Sequence, residues 1–281
     1  MYVNEVLLSP NNKNTTSNKL FVIKIGGNVI DNPENLKKFL KDFAAIDGHK
    51  ILIHGGGKIA TEISESMGLV PNLVDGRRIT DEDTIKVVTM VYAGLINKNI
   101  VAQLQSYGCN AIGLTGADGN FIKAKKRPVK TIDYGYVGDL HEGSIAPDNL
   151  TNLINANFTP VFCAITHDGQ GQLLNTNADT IASALAVALS KMYETTLIYC
   201  FEKKGVLKDI SNEGSLIEEI NPVVYETLKQ ANIIHSGMLP KLDNAFAAIA
   251  NGVKEVIIGK SDDLETLKHN IPFGTRLINN L

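Results

Sequence analysis

The sequence predicts an α/β fold, a three-layer αβα sandwich on a mainly parallel open sheet. Three observations predict it. Short apolar runs of strand length alternate with longer amphipathic segments, the pattern of repeated strand and helix units. The runs are apolar at successive positions, so their strands are buried on both faces. Glycine turns follow the first two runs directly, where a strand hands over to a helix.

Residues 1–18 contain Asn-Asn-Lys-Asn-Thr-Thr-Ser-Asn, too little apolar side chain to offset the entropy of ordering, and are expected to form a mobile tail. Leu20-Phe21-Val22-Ile23 then reads as a strand. Gly26-Gly27 breaks it, and Asn32 caps a helix with Pro33 in its first turn. Ile51-Leu52-Ile53 runs into Gly55-Gly56-Gly57 and an amphipathic helix over 58–67. Thr80-Asp-Glu-Asp83 has the capping-box pattern and opens a helix over 83–106. That helix is apolar on more than one face through Val87, Val91, Leu95, Ile96 and Ile100, which fits either a layer deep in the protein or a subunit contact. Further strands are expected at 111–114, 160–165, 197–200 and 255–258, and helices at 148–156, 180–190, 222–231 and 241–251.

Composition narrows the function. The 281 residues carry a net charge of −3, with 44% apolar and 20% charged residues, an ordinary globular make-up that excludes disorder, collagen and a disulfide scaffold. A slightly acidic chain has no general field for polyanions. Its dense basic run, residues 123–130, lacks interleaved aromatic platforms and reads as a solvated loop or hairpin, so no nucleic-acid role is expected. Cys109, Cys163 and Cys200 are widely spaced and read as reduced core residues. No apolar run is seen to reach the ~18–20 residues of a membrane span, and the polar start lacks a signal-peptide core, so the cytoplasm is the expected compartment.

The two glycine turns present unshielded backbone N–H groups at the carboxyl end of the sheet, where ligands of open α/β sheets bind and where phosphate is favoured. Each alone fits a steric glycine as well as an anion site. A Walker A loop is excluded, because Gly57-Lys58 has Leu52 and Ile59 where Gly and Ser or Thr are required. His54-Gly-Gly-Gly also occurs in some α/β-hydrolases, but no serine here sits in a G-x-S-x-G elbow, so that reading loses its nucleophile. Asn175-Thr-Asn-Ala-Asp179 precedes a helix and could cap it, Ser236-Gly-Met-Leu-Pro-Lys241 ends in a lysine at a helix start, and Arg78 fits a carboxylate fork or a plain surface arginine.

Taken together and in this order, K-x-G-G at Lys24, H-G-G-G at His54, G-x-R-[IV]-T at Gly76, Ala93-Gly94 with Asn97-Lys98, the glycines of 113–119, N-x-N-A-D at Asn175 and G-M-x-x-K at Gly237 resemble the amino-acid kinase family. The resemblance runs from Phe21 to the carboxyl terminus. Within the family it is strongest to members that phosphorylate the side-chain carboxylate of an N-acylated glutamate in arginine biosynthesis. Departures are Phe201-Glu202 where Thr-Asp or Ser-Asp is usual, Lys58 in place of proline, and Ser236 before Gly237.

The resemblance implies ATP as phosphoryl donor, with Mg2+ carried mainly by the ATP phosphates. Lys24 and Lys241 would flank the transferred phosphoryl, with Lys24 nearer the attacking side, and Asp179 would hold both ammonium groups. Gly26, Gly27, Gly56 and Gly57 would bind phosphate. Arg78, Asn175 and Asn177, with the same Gly56 and Gly57, would bind acylglutamate. Glu202, Gly205, Val206, Gly237, Met238 and Lys241 would hold the nucleotide. Residues 19–190 would form the acylglutamate and dimer lobe, and residues 191–281 the nucleotide lobe. The expected substrate is N-acetyl-L-glutamate, with N-succinylglutamate, whose second carboxylate Lys58 and Arg77 could meet, as the alternative. Another amino-acid carboxylate kinase of the same fold, such as an aspartate or glutamate 5-kinase, is a further alternative, against which the reading expects no regulatory or RNA-binding-like domain after the kinase core. A non-catalytic amino-acid or nucleotide sensor on this fold would lose a lysine or Asp179, and all three are present. The expected assembly is a homodimer through 80–108, insensitive to arginine, because the amino-terminal segment lacks the apolar stripe of an interlacing helix.

Overall fold

The computed structural model describes residues 18–279 apart from residues 75, 235–237 and 270. The mobile-tail reading of 1–18, save residue 18, and the readings of Ser236 and Gly237 lie outside the described residues. One central sheet organises the rest. Its strands are β1 (Lys19–Ile25), β2 (His49–His54), β3 (Ala111–Leu114), β4 (Thr159–Cys163), β5 (Glu194–Phe201), β6 (Glu219–Ile220), β7 (Glu255–Lys260) and β8 (Thr275–Leu277), in the order β6-β8-β7-β5-β1-β2-β4-β3. Every pair is parallel except β7 with β8.

Two hydrophobic cores cover the two faces of this sheet. Successive side chains of a strand point to opposite faces. Leu20, Val22, Ile51, Ile53, Leu197 and Tyr199 accordingly pack with the helices Pro147–Asn155, Ala178–Leu189, Pro222–Gln230 and Leu239–Ala250. Ile23, Ile25, Leu52, Ile198 and Cys200 pack with Pro33–Ala44, Gly57–Ser66 and Glu82–Ser106. This is the expected three-layer α/β sandwich. Both cores run through residues on either side of position 191, so the two halves of the chain share one sheet.

Asn32 caps its helix as read, its side chain accepting from the amides of Glu34 and Asn35. The helix that begins at Glu82 is capped one residue later than its motif suggests. Asp81 accepts from the Thr84 amide at 2.8 Å, while Thr80 is fully buried and its backbone joins Tyr134 and Tyr136. The middle of this helix, Met90–Ile96, is a π-helical segment, an element often found beside functional sites. One sequence expectation needs correcting here. Glu82–Ser106 spans 25 residues with an 18-residue window of mean hydropathy 1.2, so one helix is long and apolar enough to cross a membrane. Its apolar surface instead packs on the sheet and neighbouring helices through Val88, Ile100 and Leu104, each fully buried.

The basic run forms a hairpin, Lys125–Lys126 with Gly138–Asp139. The three cysteines are free and buried, and burial pushes the Cys163 and Cys200 thiols up to about 12, which leaves them unreactive.

Candidate active site

Lys24 follows Val22 by two positions, so its side chain leaves the sheet on the face covered by Ala178–Leu189. There its Nζ lies 2.6 Å from Asp179 Oδ1. Asp179 sits in the first turn of that helix, where the dipole favours a carboxylate. Asn177 is the cap, accepting from the Thr180 amide at 3.0 Å. The capping and functional readings of this motif therefore describe one device: the cap fixes the turn that aims Asp179 at Lys24.

Lys241, in the first turn of Leu239–Ala250, brings a second ammonium to the same place. Its Nζ stands 3.8 Å over the Phe201 ring centroid, and Lys24 Nζ is 5.5 Å from the same centroid. Burial lowers the Lys241 pKa from the ordinary lysine value; Asp179 opposes that shift and the Lys24 charge adds to it. Phe201 belongs to β5 and follows Tyr199 by two, hence faces the same side as Lys24.

Two cavities meet at this cluster. The larger, of about 680 Å3, is lined by Gly55–Gly57, Arg78, Tyr92, Asn175 and Asn177 among others. The smaller, of about 380 Å3, is lined by Lys24, Gly26, Gly27, Phe201, Glu202 and Met238 among others. Asp179 and Lys241 line both. Lys24 opens on the smaller cavity, so Asp179 and Lys241 mark the boundary.

The glycine turns are built differently from each other. Gly26 donates its N–H to the Cys200 carbonyl at 3.1 Å, so this amide ties β1 to β5, and the turn's free amides begin at Gly27. Gly56 has φ +149°, and a side chain there would run into Ile96 and the Tyr92 ring from the π-helical segment. His54, fully buried, fixes this turn from below. Its Nδ1–H donates to the Gly55 carbonyl at 2.8 Å, and its Nε2 accepts from Asn97 at 3.0 Å. Burial lowers its pKa to about 4, so the ring is neutral and structural.

Arg78 is joined to the second turn through Nη2, which donates to the Gly57 carbonyl at 2.9 Å and to Thr61 Oγ1 at 2.6 Å. Its Nη1 is buried without a hydrogen-bond partner. A guanidinium held by one arm with the other unsatisfied is arranged to receive a ligand oxygen. Asn175 donates to Thr80 Oγ1 at 3.0 Å while lining the same cavity.

The structure brings together all the described sequence-predicted site residues except Val206. That side chain is 2% exposed within the core, and its amide donates to Thr275 Oγ1 at 2.8 Å. Gly205 beside it does line the smaller cavity, where a Cβ would strike Thr275 and Leu216. Tyr92, Phe201 and Arg127 are site residues without an assigned role in the sequence reading. Phe201 was visible as a departure from the family pattern. Tyr92 carries no motif of its own in the sequence, and Arg127 lies in the basic run that reads as a solvated loop or hairpin.

A parallel sheet whose glycine turns, paired lysine and carboxylate, and second lysine meet between two cavities matches the Amino acid kinase family over residues 19–260, and the chain belongs to that family. Among curated relatives, an acetylglutamate kinase of Cytophaga hutchinsonii is 56% identical over 264 residues, covering 93% of this chain and 99% of that protein. An acetylglutamate kinase of Bacteroides fragilis is 51% identical, covering 90% and 97%. Among solved structures, carbamate kinase from Giardia lamblia bound to AMP-PNP shares the fold at a TM-score of 0.65 and 15% identity, covering 94% of this chain and 99% of that one.

Proposed function

We propose that this chain is a cytoplasmic enzyme that phosphorylates the side-chain carboxylate of N-acetyl-L-glutamate with ATP, giving an acyl phosphate and ADP, a step of arginine biosynthesis. The observation that carries this is the cluster of Lys24, Asp179 and Lys241 at the meeting of two cavities. Acetylglutamate kinases 51–56% identical over 90% or more of the chain support the substrate.

The glutamate carboxylate, with an ordinary pKa of about 4.3, is already ionised and needs no general base. One of its oxygens forms a bond to the γ-phosphorus as the bond to the bridging oxygen of ADP breaks, in line. Attack joins two anions, so the residues act by cancelling charge and fixing alignment. Lys24 and Lys241 supply compact positive charge that follows the phosphoryl oxygens, and Asp179 keeps the two ammonium groups charged and in register. The Gly27, Gly56 and Gly57 region offers backbone donors and close approach. Arg78 Nη1 and Asn175 hold the acylglutamate α-carboxylate and amide, beside the Asn177 cap. Glu202, Gly205 and Met238 border the nucleotide. Mg2+ would arrive on the ATP phosphates, since Asp179 is committed to Lys24 and no group of three or more His, Cys, Asp or Glu converges among the described residues.

Residues 19–190 then form the acylglutamate lobe and residues 191–281 the nucleotide lobe, working as a homodimer through the helix Glu82–Ser106. The direct test is ADP release with ATP, Mg2+ and N-acetyl-L-glutamate. Turnover dependent on the acylglutamate is expected, and its absence, with turnover on aspartate or free glutamate instead, would overturn the assignment.

A further inference from the structure

Tyr92 lines the larger cavity and takes no part in the phosphoryl transfer described above. It lies in the π-helical segment Met90–Ile96, in a row with Ile85, Val88 and Ile96 at spacings of three and four residues. Those three are apolar and buried in the core. Tyr92, 5% exposed, is the member of the row that brings a hydroxyl. A tyrosine in such a row desolvates its hydroxyl, a cost phenylalanine would avoid, so the hydroxyl calls for a polar partner.

The partner chemistry is set by the second glycine turn. The Tyr92 ring packs where a side chain on Gly56 would stand, and its Oη lies 4.0 Å from the place a Cβ would take on Gly57. Arg78 comes to the same turn: Nη2 donates to the Gly57 carbonyl, while Nη1 is buried without a hydrogen-bond partner. The two side chains are electrostatic neighbours. Burial raises the Tyr92 pKa and the Arg78 charge opposes that rise, so the phenol keeps its proton at neutral pH. A guanidinium can only donate, so the phenol proton finds no acceptor there. Arg78 Nη1 and Tyr92 Oη thus bring two donors to one cavity, and a carboxylate offers an oxygen to each.

We propose that Tyr92 is a substrate-binding residue that completes, with Arg78, a two-donor clamp on the α-carboxylate of the acylglutamate. The proposal rests on the acylglutamate kinase reading and adds a residue to its substrate site. No bond forms or breaks at Tyr92. The clamp fixes the glutamate so that its side-chain carboxylate points at the lysine pair. It also sets a requirement, because an α-carboxamide lacks the charge and turns its own N–H groups against donors.

The test measures kcat, and KM for ATP, N-acetyl-L-glutamate and its α-carboxamide, on the full chain as wild type, Tyr92→Phe and Tyr92→Leu. Tyr92→Phe keeps the ring against Gly56 and loses only the hydroxyl, so its unfolding temperature should stay within about two degrees of wild type. Its KM for N-acetyl-L-glutamate should rise at least about tenfold, with KM for ATP within about twofold. The wild type should use the α-carboxamide at least about tenfold less well than the carboxylate, and Tyr92→Phe should change kcat/KM for the carboxamide less than about threefold. Tyr92→Leu, which also loses the ring, should show the same rise in KM together with a lower unfolding temperature. An unchanged KM for N-acetyl-L-glutamate in Tyr92→Phe, an equal rise in KM for ATP, or an equal loss on carboxylate and carboxamide overturns the clamp, while wild-type turnover keeps the kinase reading. No wild-type turnover of N-acetyl-L-glutamate overturns both.

Discussion

Lys24 Nζ and Asp179 Oδ1 are 2.6 Å apart, and Asp179 also supports the charge of Lys241, whose pKa is lowered by its half-buried position. One carboxylate thus serves two cations. Asp179→Asn should lower kcat at least about 100-fold, the scale of losing a preorganised electrostatic contact, with little change in thermal unfolding. The sign of the pH effect follows. A lysine is active when protonated and loses its charge as pH rises through its pKa. Removing Asp179 lowers the Lys241 pKa further, so the alkaline fall in kcat/KM should move to lower pH. An unchanged alkaline limb in a pH-rate profile would remove Asp179 from this role.

Lys241 also stands 3.8 Å over the Phe201 ring. A cation facing an aromatic ring gains about 0.5–2 kcal/mol. Phe201→Leu should therefore lower kcat by roughly 2- to 30-fold, with Phe201→Tyr retaining most of it. Equal activity of the Leu and Tyr variants would show that the ring only fills space.

Arg78 reaches the glycine turn with one nitrogen and leaves the other unsatisfied. Arg78→Lys keeps the charge and loses the fork. KM for N-acetyl-L-glutamate should rise at least about tenfold, reflecting loss of a charge-assisted hydrogen bond, with KM for ATP nearly unchanged. A similar rise for both substrates would place Arg78 outside the acylglutamate pocket.

Gly56 and Gly57 are neighbours with opposite expectations. At Gly56 a Cβ meets Ile96 and Tyr92 in a backbone with φ +149°, whereas at Gly57 the nearest atom, Tyr92 Oη, is 4.0 Å away. Gly56→Ala should cost about 2–4 kcal/mol of stability, from backbone strain and overpacking together. Gly57→Ala should leave the unfolding temperature within a few degrees. Denaturant melts of the two variants check the contrast.

Met90 and Leu95 are 53% and 47% exposed on the helix Glu82–Ser106, whose Ile85, Val88, Ile96, Ile100 and Leu104 are buried. Sedimentation should give the mass of two chains, and Met90→Lys with Leu95→Lys should shift it toward one. A hexamer, or inhibition by arginine, would reverse the assembly expected from the sequence.

The layout of strands, turns and helices was legible because its signals are local. A strand buried on both faces is written as an unbroken apolar run, a glycine turn by its residues, and a helix start by a capping side chain such as Asn32. The ordered motifs at Lys24, His54, Arg78, Asn175 and Lys241 likewise point to most of the residues that line the two cavities. Signals of this kind ran out where the chain meets itself far away. The Thr80 motif does not disclose that Asp81 is the cap, because Thr80 is claimed by Tyr134 and Tyr136. The Gly26 amide is spent on Cys200, and Val206 turns into the core under Thr275. The helix predicted over 83–106 begins one residue earlier, and what its interrupted apolar pattern does not disclose is a mean hydropathy high enough for a membrane span.

The sequence by itself determined the fold class, the family and the identities of the charged residues, since periodicity and motif order depend on neighbours along the chain. Tertiary structure alone decided that Lys24, Asp179 and Lys241 share one point between two cavities and that Phe201 lies under both ammonium groups. The physical reason is distance. Coulombic attraction, cation–π contact and burial act over a few ångströms in space, and residues 24, 179, 201 and 241 become neighbours only when the sheet pairs β1 with β5 and seats two helices over one face.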